Sequence, residues 1–254
     1  MRIARYRVQG RVVQGMLEGD AIRPFVAGLP ESGGRLGASL ALEGAELLAP
    51  CVPGKIVGVG LNYKDHARER NKPIPQEPLL FLKPPSALLD PGEPILLPPG
   101  AGRIDHEAEL AIVIGREARR LAVANAGEAI LGYTCFNDVT ARELQDRDVQ
   151  FTRAKGFDTF APMGPWIETD LDPSSLVIEG KVNGHIRQHS RTAELIFPPA
   201  FLVSFISRIM TLHPWDVIAT GTPAGIGPLG DGDTVEITIE GIGTLANPVR
   251  AGQS

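Results

Sequence analysis

Residues 105–114 read DHEAELAIVI, a stretch that begins with charged side chains and ends as an apolar strand. The apolar side chains at the even positions from 108 to 114 share one face of that strand, because successive side chains alternate between faces. Glu107 and Glu109 then project together from the opposite face, and two further apolar residues continue it. The stretch is therefore predicted to be a strand buried on both faces, with two carboxylates at one end.

Short strands recur along the chain and are bounded by turns rich in glycine and proline. Asn183-Gly184 predicts a hairpin with a type I′ turn, because both residues tolerate positive φ angles. The predicted strands cover residues 3–8, 11–17, 55–59, 79–82, 95–97, 108–114, 176–182, 186–190 and 234–240.

Predicted helices are fewer. The clearest spans 199–212, where apolar side chains recur at the i, i+3 and i+4 spacing of a buried stripe. Shorter candidates cover 62–70 and 124–131. Since no β–α–β rhythm and no repeat of fixed period is present, the predicted class is α+β, mainly β.

A boundary near Pro53 divides the predicted domains. Residues 1–53 form a small N-terminal β domain and residues 54–254 form the larger domain. A stretch rich in Gly and Ser at 28–44 is expected to cross the surface of the first domain.

Composition narrows the possible partners. The chain has 254 residues and a net charge of −5, and no basic run exceeds Arg119-Arg120, so a nucleic-acid partner is not expected. No apolar run approaches the roughly 18 residues that a membrane helix needs. Cys51 and Cys135 have no metal or redox spacing, and we expect two reduced thiols in a cytoplasmic protein.

Glu107 and Glu109 repel each other and are costly to bury, so their placement on a strand with buried character needs an explanation. A divalent cation would offset the repulsion, and carboxylate oxygens are ligands that Mg²⁺, Mn²⁺ and Ca²⁺ prefer. A solvated sheet face is the alternative. A third acid, Asp138, lies among uncharged residues and is either a further ligand or the N-cap of a helix starting near Val139.

His66 and Glu69 are three residues apart in a predicted helix and face the same way. A carboxylate beside an imidazole orients the ring and raises its basicity, as a general base requires. A solvated helix pair is the alternative interpretation. His185 and His189 share one strand face, but without a third His or Cys they are a weak metal candidate.

Two glycine-rich stretches do not match nucleotide-binding motifs. Gly58-Val59-Gly60 follows a predicted strand, but Tyr63 stands where a dinucleotide loop has its third glycine. Residues 221–232 lack the Gly-Lys-Ser/Thr ending of a phosphate loop.

Several stretches together resemble the fumarylacetoacetate hydrolase family, in the order in which that family carries them. They span nearly everything from Lys55 to Val249, and the joint match is specific although each stretch alone is not. The first 50 or so residues resemble the small N-terminal extension of many bacterial members. The stretches are KIVGVGLNYKDH at 55–66, the Glu107-x-Glu109 strand, NDVTAR at 137–142, KGFDTFAP at 155–162 and TGTPAG at 220–225.

The resemblance implies a mixed β-roll of largely antiparallel strands with few short helices, and a homodimer. It also implies a Mg²⁺ or Mn²⁺ ion held by Glu107, Glu109 and Asp138, with water or substrate completing the octahedron. The implied roles around this ion are His66 and Glu69 as a dyad on a mobile lid, Lys155 facing the developing enolate of the substrate, Gln145 at the border of the pocket, and Gly221 and Thr222 as the seat of a substrate carboxylate.

One departure matters for function. Eukaryotic fumarylacetoacetases supply a fourth acidic ligand before the lid, where this chain has Val57-Gly58-Val59-Gly60. The three-acid set resembles the branch that contains acylpyruvate hydrolases, oxaloacetate decarboxylases or tautomerases, and 2-hydroxyhepta-2,4-diene-1,7-dioate isomerases.

The resemblance thus implies a Mg²⁺- or Mn²⁺-dependent enzyme that acts on a 2-oxo (enol) dicarboxylic acid through a metal-stabilised enolate. We expect isomerisation of 2-hydroxyhepta-2,4-diene-1,7-dioate in aromatic catabolism. C–C bond hydrolysis of the acylpyruvate or fumarylacetoacetate type and oxaloacetate decarboxylation or tautomerisation are the alternatives. From another class, a metal-dependent binding protein or a catalytic relic is the rival hypothesis.

Overall fold

A computed structural model describes residues 1–26 and 34–252, which form short strands joined by turns and few helices. The helices are α1 (Lys64–Glu69), α2 (Val123–Ala126), α3 (Arg142–Arg147), α4 (Thr152–Lys155) and α5 (Pro199–Ile209). The strands are β1 (Arg2–Val8), β2 (Arg11–Glu18), β3 (Ala21–Pro24), β4 (Leu40–Ala41), β5 (Glu46–Leu48), β6 (Ile56–Gly60), β7 (Leu79–Lys83), β8 (Leu88–Leu89), β9 (Ile95–Leu97), β10 (Ile104–His106), β11 (Ala108–Ile114), β12 (Ile130–Asn137), β13 (Thr140–Ala141), β14 (Ala161–Glu168), β15 (Val177–Val182), β16 (His185–Arg191), β17 (Val217–Ala219), β18 (Gly227–Pro228), β19 (Thr234–Ile239) and β20 (Gly243–Ala251).

The strands form three sheets. A 12-stranded sheet runs in the order β4-β3-β2-β1-β14-β12-β11-β17-β6-β7, with β5 beside β1 and β8 beside β14. A 5-stranded sheet runs β16-β15-β19-β20-β9, and a 3-stranded sheet runs β13-β10-β18. Among the described strands, the pairs β6–β17, β8–β14 and β9–β20 are parallel and the other pairs are antiparallel. The predicted class, α+β with mixed and largely antiparallel strands, is confirmed.

Strand β11 lies at the centre of the large sheet, and all seven of its residues are buried. Its even-numbered side chains join a core shared with the 5-stranded sheet and α5. Ala111 and Val113 face a second core with residues of β1, β14 and β17. Both faces of the strand are thus covered, as its apolar composition predicts.

The N-terminal strands extend the large sheet. Ile3 of β1 pairs with Ile167 of β14, and Arg5 of β1 pairs with Leu48 of β5. The domain boundary near Pro53 stays a prediction, because strands from both sides of it share one sheet. The predicted surface crossing at 28–44 falls partly outside the described residues.

Each predicted strand overlaps an observed one, and the type I′ turn is present at Asn183 (φ 53°) and Gly184 (φ 75°). The sequence patterns missed β20, although burial alternates along that strand. They also did not indicate β12, β14 and β17. These strands are buried on both faces, so their composition does not alternate and gives no period-2 signal.

The helix predicted over 124–131 is wrong beyond its first turn. A short α2 is followed by a 3₁₀ turn at Gly127–Ala129, and Ile130 already begins β12. Pairing of β12 with the buried β11 outweighs the local helical pattern. The helix predicted over 199–212 is present but ends at Ile209, because Met210 adopts an extended backbone. No helix within residues 1–26 and 34–252 is long and apolar enough to cross a bilayer.

Candidate active site

Three acids meet where β11 and β12 begin to diverge. Glu107 precedes β11, Glu109 lies in it, and Asp138 follows β12, whose Asn137 pairs with Ala108. The Asp138 N–H donates to the Glu107 carbonyl at 3.0 Å, which holds the two chain segments together. One carboxylate oxygen from each acid lies within 4.8 Å of the other two.

The structure excludes two alternatives to a ligand role for these acids, a solvated sheet face for the glutamates and a helix N-cap for Asp138. Glu107, Glu109 and Asp138 are only 6%, 2% and 1% exposed, so the solvated sheet face is wrong. The N-cap interpretation of Asp138 is also wrong, because β13 follows it and the next helix, α3, has Ala141 as its N-cap. Adjacent strands with a fixed register bring the third acid to the first two.

Three buried or partly buried cations surround the acidic triad. The Lys155 Nζ donates to Asp138 Oδ2 at 2.5 Å, to Thr140 Oγ1 at 2.8 Å and to Glu107 Oε2 at 3.2 Å. The Lys83 Nζ donates to Asp138 Oδ1 at 2.6 Å. Arg142 donates to Glu107 Oε1 at 2.5 Å. Glu107 and Asp138 therefore carry all of these cation contacts.

Glu109 differs from its neighbours. It accepts the Gly221 N–H at 2.8 Å, and no ion pair reaches it within the described part of the chain. Burial and the adjacent Asp138 and Glu107 carboxylates raise the pKa of Glu109 well above its usual value. Burial would also raise the pKa of Glu107, but Lys155 and Arg142 outweigh it and lower that pKa to about 2.

Burial disfavours the charged form of both lysines, but their net pKa shifts are opposite. Burial lowers the pKa of Lys83, although Asp138 opposes the shift. Burial also disfavours charge on Lys155, but Asp138 and Glu107 outweigh it and raise the pKa of that ammonium group. Of the two lysines, Lys155 is therefore the one whose positive charge the triad stabilises more.

The triad suits a hard divalent cation. Three buried carboxylates offer oxygen ligands from one small region, which is the donor chemistry that Mg²⁺ and Mn²⁺ prefer. The high pKa of Glu109 marks negative charge that the protein's own cations leave uncompensated. His185 and His189 form no comparable group of three ligands in the described chain, and His189 instead contacts Glu179 at 3.1 Å.

His66 and Glu69 lie on α1, as predicted, with His66 Nδ1 at 2.8 Å from Glu69 Oε2. The other oxygen of Glu69 accepts the Gly225 N–H at 2.9 Å. Asp65 accepts the His66 N–H at 2.7 Å and the Ser190 hydroxyl at 2.6 Å, which ties the start of α1 to β16. His66 is buried, so this pair is not a solvated helix pair.

A cavity of about 280 Å³ joins these groups. Its wall contains the triad, His66 and Lys155, together with Gln145 from α3 and Thr222 from the loop after β17. The Gln145 Oε1 accepts a hydrogen bond from Arg142 at 2.6 Å. The structure thus brings the predicted metal ligands, base and lysine to one cavity.

The loop at 220–225 departs in one detail from its expected role. The Gly221 amide, expected to bind a substrate carboxylate, donates to Glu109 and does not line the cavity. Gly221 has φ +100°, and a Cβ there would lie 2.7 Å from Asn62 Cβ, so glycine is required. The Thr222 hydroxyl donates to the Ala108 carbonyl at 2.9 Å, while its side chain remains in the cavity wall.

Two family models cover most of the chain. The model described as "Fumarylacetoacetate (FAA) hydrolase C-terminal" matches residues 55–250, and "Rv2993c-like, N-terminal" matches residues 1–50. The chain belongs to the fumarylacetoacetate hydrolase family. The predicted membership is confirmed, and with it the prediction of an enzyme of this family.

Solved structures of other fumarylacetoacetate hydrolase family members resemble the whole chain. The 5-carboxymethyl-2-hydroxymuconate delta-isomerase from Mycobacterium smegmatis is 47% identical with a TM-score of 0.91, and covers 100% of both chains. The 2-hydroxyhepta-2,4-diene-1,7-dioate isomerase from Mycobacterium marinum is 45% identical with the same TM-score and coverage. Maleylpyruvate hydrolase from Sphingobium, solved with manganese(II) and pyruvate, is 32% identical with a TM-score of 0.81 and covers 100% of both chains.

Sequence reasoning missed several residues of this family site. Lys83, Arg142 and Gln188 had no assigned role, although Arg142 lay in a quoted motif. The sequence did contain a signal for Lys83, because this lysine directly follows the apolar run 79–82. A lysine buried together with such a run needs a carboxylate partner. For Gln188 no local signal existed, since its partners are more than 30 residues away.

Proposed function

We propose that this family member is a Mg²⁺- or Mn²⁺-dependent isomerase of 2-hydroxyhepta-2,4-diene-1,7-dioate, acting in aromatic catabolism. The observation that carries the proposal is that one cavity is lined by an acidic triad, a buried lysine and His66, whose ring contacts Glu69. Similarity over the full length to the isomerase from Mycobacterium marinum supports the choice of substrate.

Glu107, Glu109 and Asp138 are the residues that would hold the cation. Held by these acids, the ion would supply Lewis-acid polarisation of the oxygen on C2 of a 2-oxo or enol acid. Lys155 supplies a fixed positive charge beside Glu107 and Asp138, and it is held there by Asp138 and Thr140. A buried ammonium group stabilises negative charge that develops on the substrate oxygen more strongly than water does.

His66 moves the proton. Its Nδ1–H donates to Glu69, which leaves Nε2 as the atom that accepts or delivers a proton. The Gly225 amide fixes Glu69 in turn, so the ring orientation is set before substrate enters. Loss of the proton on the C2 hydroxyl gives a dienolate, and reprotonation on a chain carbon gives the 2-oxo product. One proton changes place and no other reactant is consumed.

Cleavage of a C–C bond by water is the second candidate reaction. Similarity to maleylpyruvate hydrolase favours it. A general base such as His66, oriented by Glu69, can take a proton from a water molecule as well as from a substrate hydroxyl. The binding-protein and relic alternatives have less support, since His66, Lys155 and the triad all line the cavity and Glu69 contacts His66.

The test is a turnover assay with Mg²⁺ and Mn²⁺ in turn. We expect metal-dependent loss of the ultraviolet absorbance of 2-hydroxyhepta-2,4-diene-1,7-dioate, with the 2-oxo isomer as the product detected by NMR. The same NMR spectra score hydrolysis and decarboxylation separately. Exchange of the C3 protons of saturated 2-oxo dicarboxylates with deuterium reports the enolate independently of the substrate chosen.

The variant Glu109→Gln tests the assignment of the metal ligands. The amide oxygen of glutamine still accepts the Gly221 N–H, so the fold is kept while one anionic ligand is lost. We expect tight Mn²⁺ binding and turnover to disappear together, without a fall in melting temperature. Unchanged Mn²⁺ affinity would refute the ligand assignment, and absence of both turnover and exchange in the parent protein would refute the proposed function.

A further inference from the structure

The C-terminal end of α1 has a defined cap that extends into the cavity wall. The Lys72 N–H donates to the Ala67 carbonyl at 2.9 Å and the Asn71 N–H donates to the Arg68 carbonyl at 3.1 Å. Asn71 has φ 50°, a left-handed conformation that asparagine tolerates better than most residues. This pair of hydrogen bonds is a Schellman motif, and it fixes the backbone on both sides of Asn71.

Arg70 and Lys72, which flank Asn71, both line the cavity that holds the triad. Arg70 is four residues after His66, so the two side chains lie on one face of the helix, about 5–6 Å apart at Cβ. His66 is buried whereas Arg70 is exposed. The cavity wall along α1 therefore has His66, the proton-transfer group, in its buried part. Two cations, Arg70 and Lys72, lie at its exposed mouth.

The charge at the mouth is not compensated by the protein. Arg68 pairs with Glu194 at 3.7 Å and Glu69 pairs with His66, but Arg70 and Lys72 form no ion pair within residues 1–26 and 34–252. Asp146 of α3 is the acid that lines the outer part of the same cavity. The triad lies deeper and already contacts three cations. Two cations thus face one outer acid.

We infer that Arg70 and Lys72 bind the distal carboxylate of the substrate and select dicarboxylates over monocarboxylates of the same length. The inference rests on the proposed function, which places the 2-oxo acid end of the substrate at the triad. A carbon chain running along α1 past His66 brings a second carboxylate to the mouth. Arginine binds carboxylate through two parallel hydrogen bonds, and lysine adds a point charge.

A competing role for Arg70 and Lys72 is a latch, that is, an ion pair with Asp146 of α3. It would hold α1, the segment expected to be a mobile lid, in its closed position. Such a latch would hold the lid closed over any ligand, so its loss would weaken monocarboxylates and dicarboxylates equally. A carboxylate-binding role predicts a loss for dicarboxylates alone. Ligand selectivity, and not affinity by itself, separates the two roles.

The experiment measures calorimetric binding of two matched compounds to the Mn²⁺-loaded protein. These are 2-oxoheptane-1,7-dioate and 2-oxoheptanoate, which differ only in the distal carboxylate. The variants are R70Q/K72Q and, as the control, K64Q, which removes an exposed cation from the same helix outside the cavity. We expect R70Q/K72Q to bind the dioate at least about tenfold more weakly and the monocarboxylate unchanged. The control should match the parent protein for both compounds.

Equal weakening of both compounds would support the latch and overturn the inference, as would unchanged dioate binding in R70Q/K72Q. If the parent protein binds both compounds equally and exchanges their C3 protons, the inference fails while the proposed function stands. If it binds neither compound and exchanges neither, both fail. Melting temperatures close to that of the parent protein establish that the exposed substitutions leave the fold intact.

Discussion

A single ammonium group, that of Lys155, contacts two of the three acids and the Thr140 hydroxyl. All three of its N–H bonds are used, and the side chain is only 3% exposed, so the charge has a fixed position. A fixed charge needs no reorganisation when negative charge appears on a substrate, which is the condition for electrostatic catalysis. Lys83 donates to the other oxygen of Asp138 and to the Val139 carbonyl, and it balances part of the buried negative charge.

Lys155→Met tests this role. Methionine has a similar length but no charge, and enolate charge appears only along the reaction coordinate, so kcat should fall much more than KM rises. We expect a loss of about 10²–10³-fold in kcat, the usual effect of removing one such stabilising group. Arg153→Met, on the same helix but exposed and paired with Asp148, should leave both constants near those of the parent protein. An effect on KM alone would show that Lys155 clamps a substrate carboxylate instead.

Between elements, Gln188 of β16 joins three parts of the site. Its Oε1 accepts the Ala108 N–H at 2.9 Å at the start of β11, and its Nε2 donates to Thr222 Oγ1 at 2.7 Å and to the Pro223 carbonyl at 2.8 Å. Opposite it in the sheet is Gly180, where a Cβ would lie 3.0 Å from Gln188 Oε1. The small residue leaves room for the glutamine to reach the strand that carries the acids.

Gln188→Leu should destabilise the protein by roughly 2–4 kcal/mol, because buried donors and acceptors on β11 and the 220–225 loop lose their partner. Chemical denaturation measures this loss. Arg187→Leu, one residue earlier and exposed, introduces the same side chain and should change the unfolding free energy by less than about 0.5 kcal/mol. Equal effects of the two substitutions would rule out the anchoring role of Gln188.

For the whole molecule, the two cores on either side of β11 each contain one cysteine. Cys51 lies in the core formed with β1, β14 and β17, and Cys135 lies in the core beneath the 5-stranded sheet. Both thiols are free, as expected from their spacing. Burial raises the pKa of each thiol to about 12.

The folded protein should therefore not react with a thiol reagent such as DTNB at pH 8, because both thiols are buried and their raised pKa keeps them protonated. In guanidinium chloride both thiols should react at once. Because the unfolded chain ionises its thiols near pH 8.5 and the folded chain does not, stability should fall as the pH rises above that value. Rapid reaction of the folded protein with two equivalents would contradict the double-core arrangement.

Alternation along residues 108–114, the Asn183-Gly184 turn and the spacing of His66 and Glu69 were all readable in the sequence. Each depends on neighbours within a few positions, so local patterns carried the information. The family resemblance, based on stretches in a fixed order, added the metal ligands and Lys155. Strands β12, β14 and β17 escaped prediction because burial on both faces removes the alternation that identifies a strand.

The sequence by itself thus determined the fold class, several of the strands with one polar face and, through the family resemblance, the chemical type of the site. Only the tertiary structure showed that the Gly221 amide binds Glu109, that Lys83 and Arg142 contact the acids, and that Gln188 binds the start of β11. These contacts connect residues far apart in the chain. Their existence depends on strand register and on the balance of buried charge, and neither quantity can be read from local spacing.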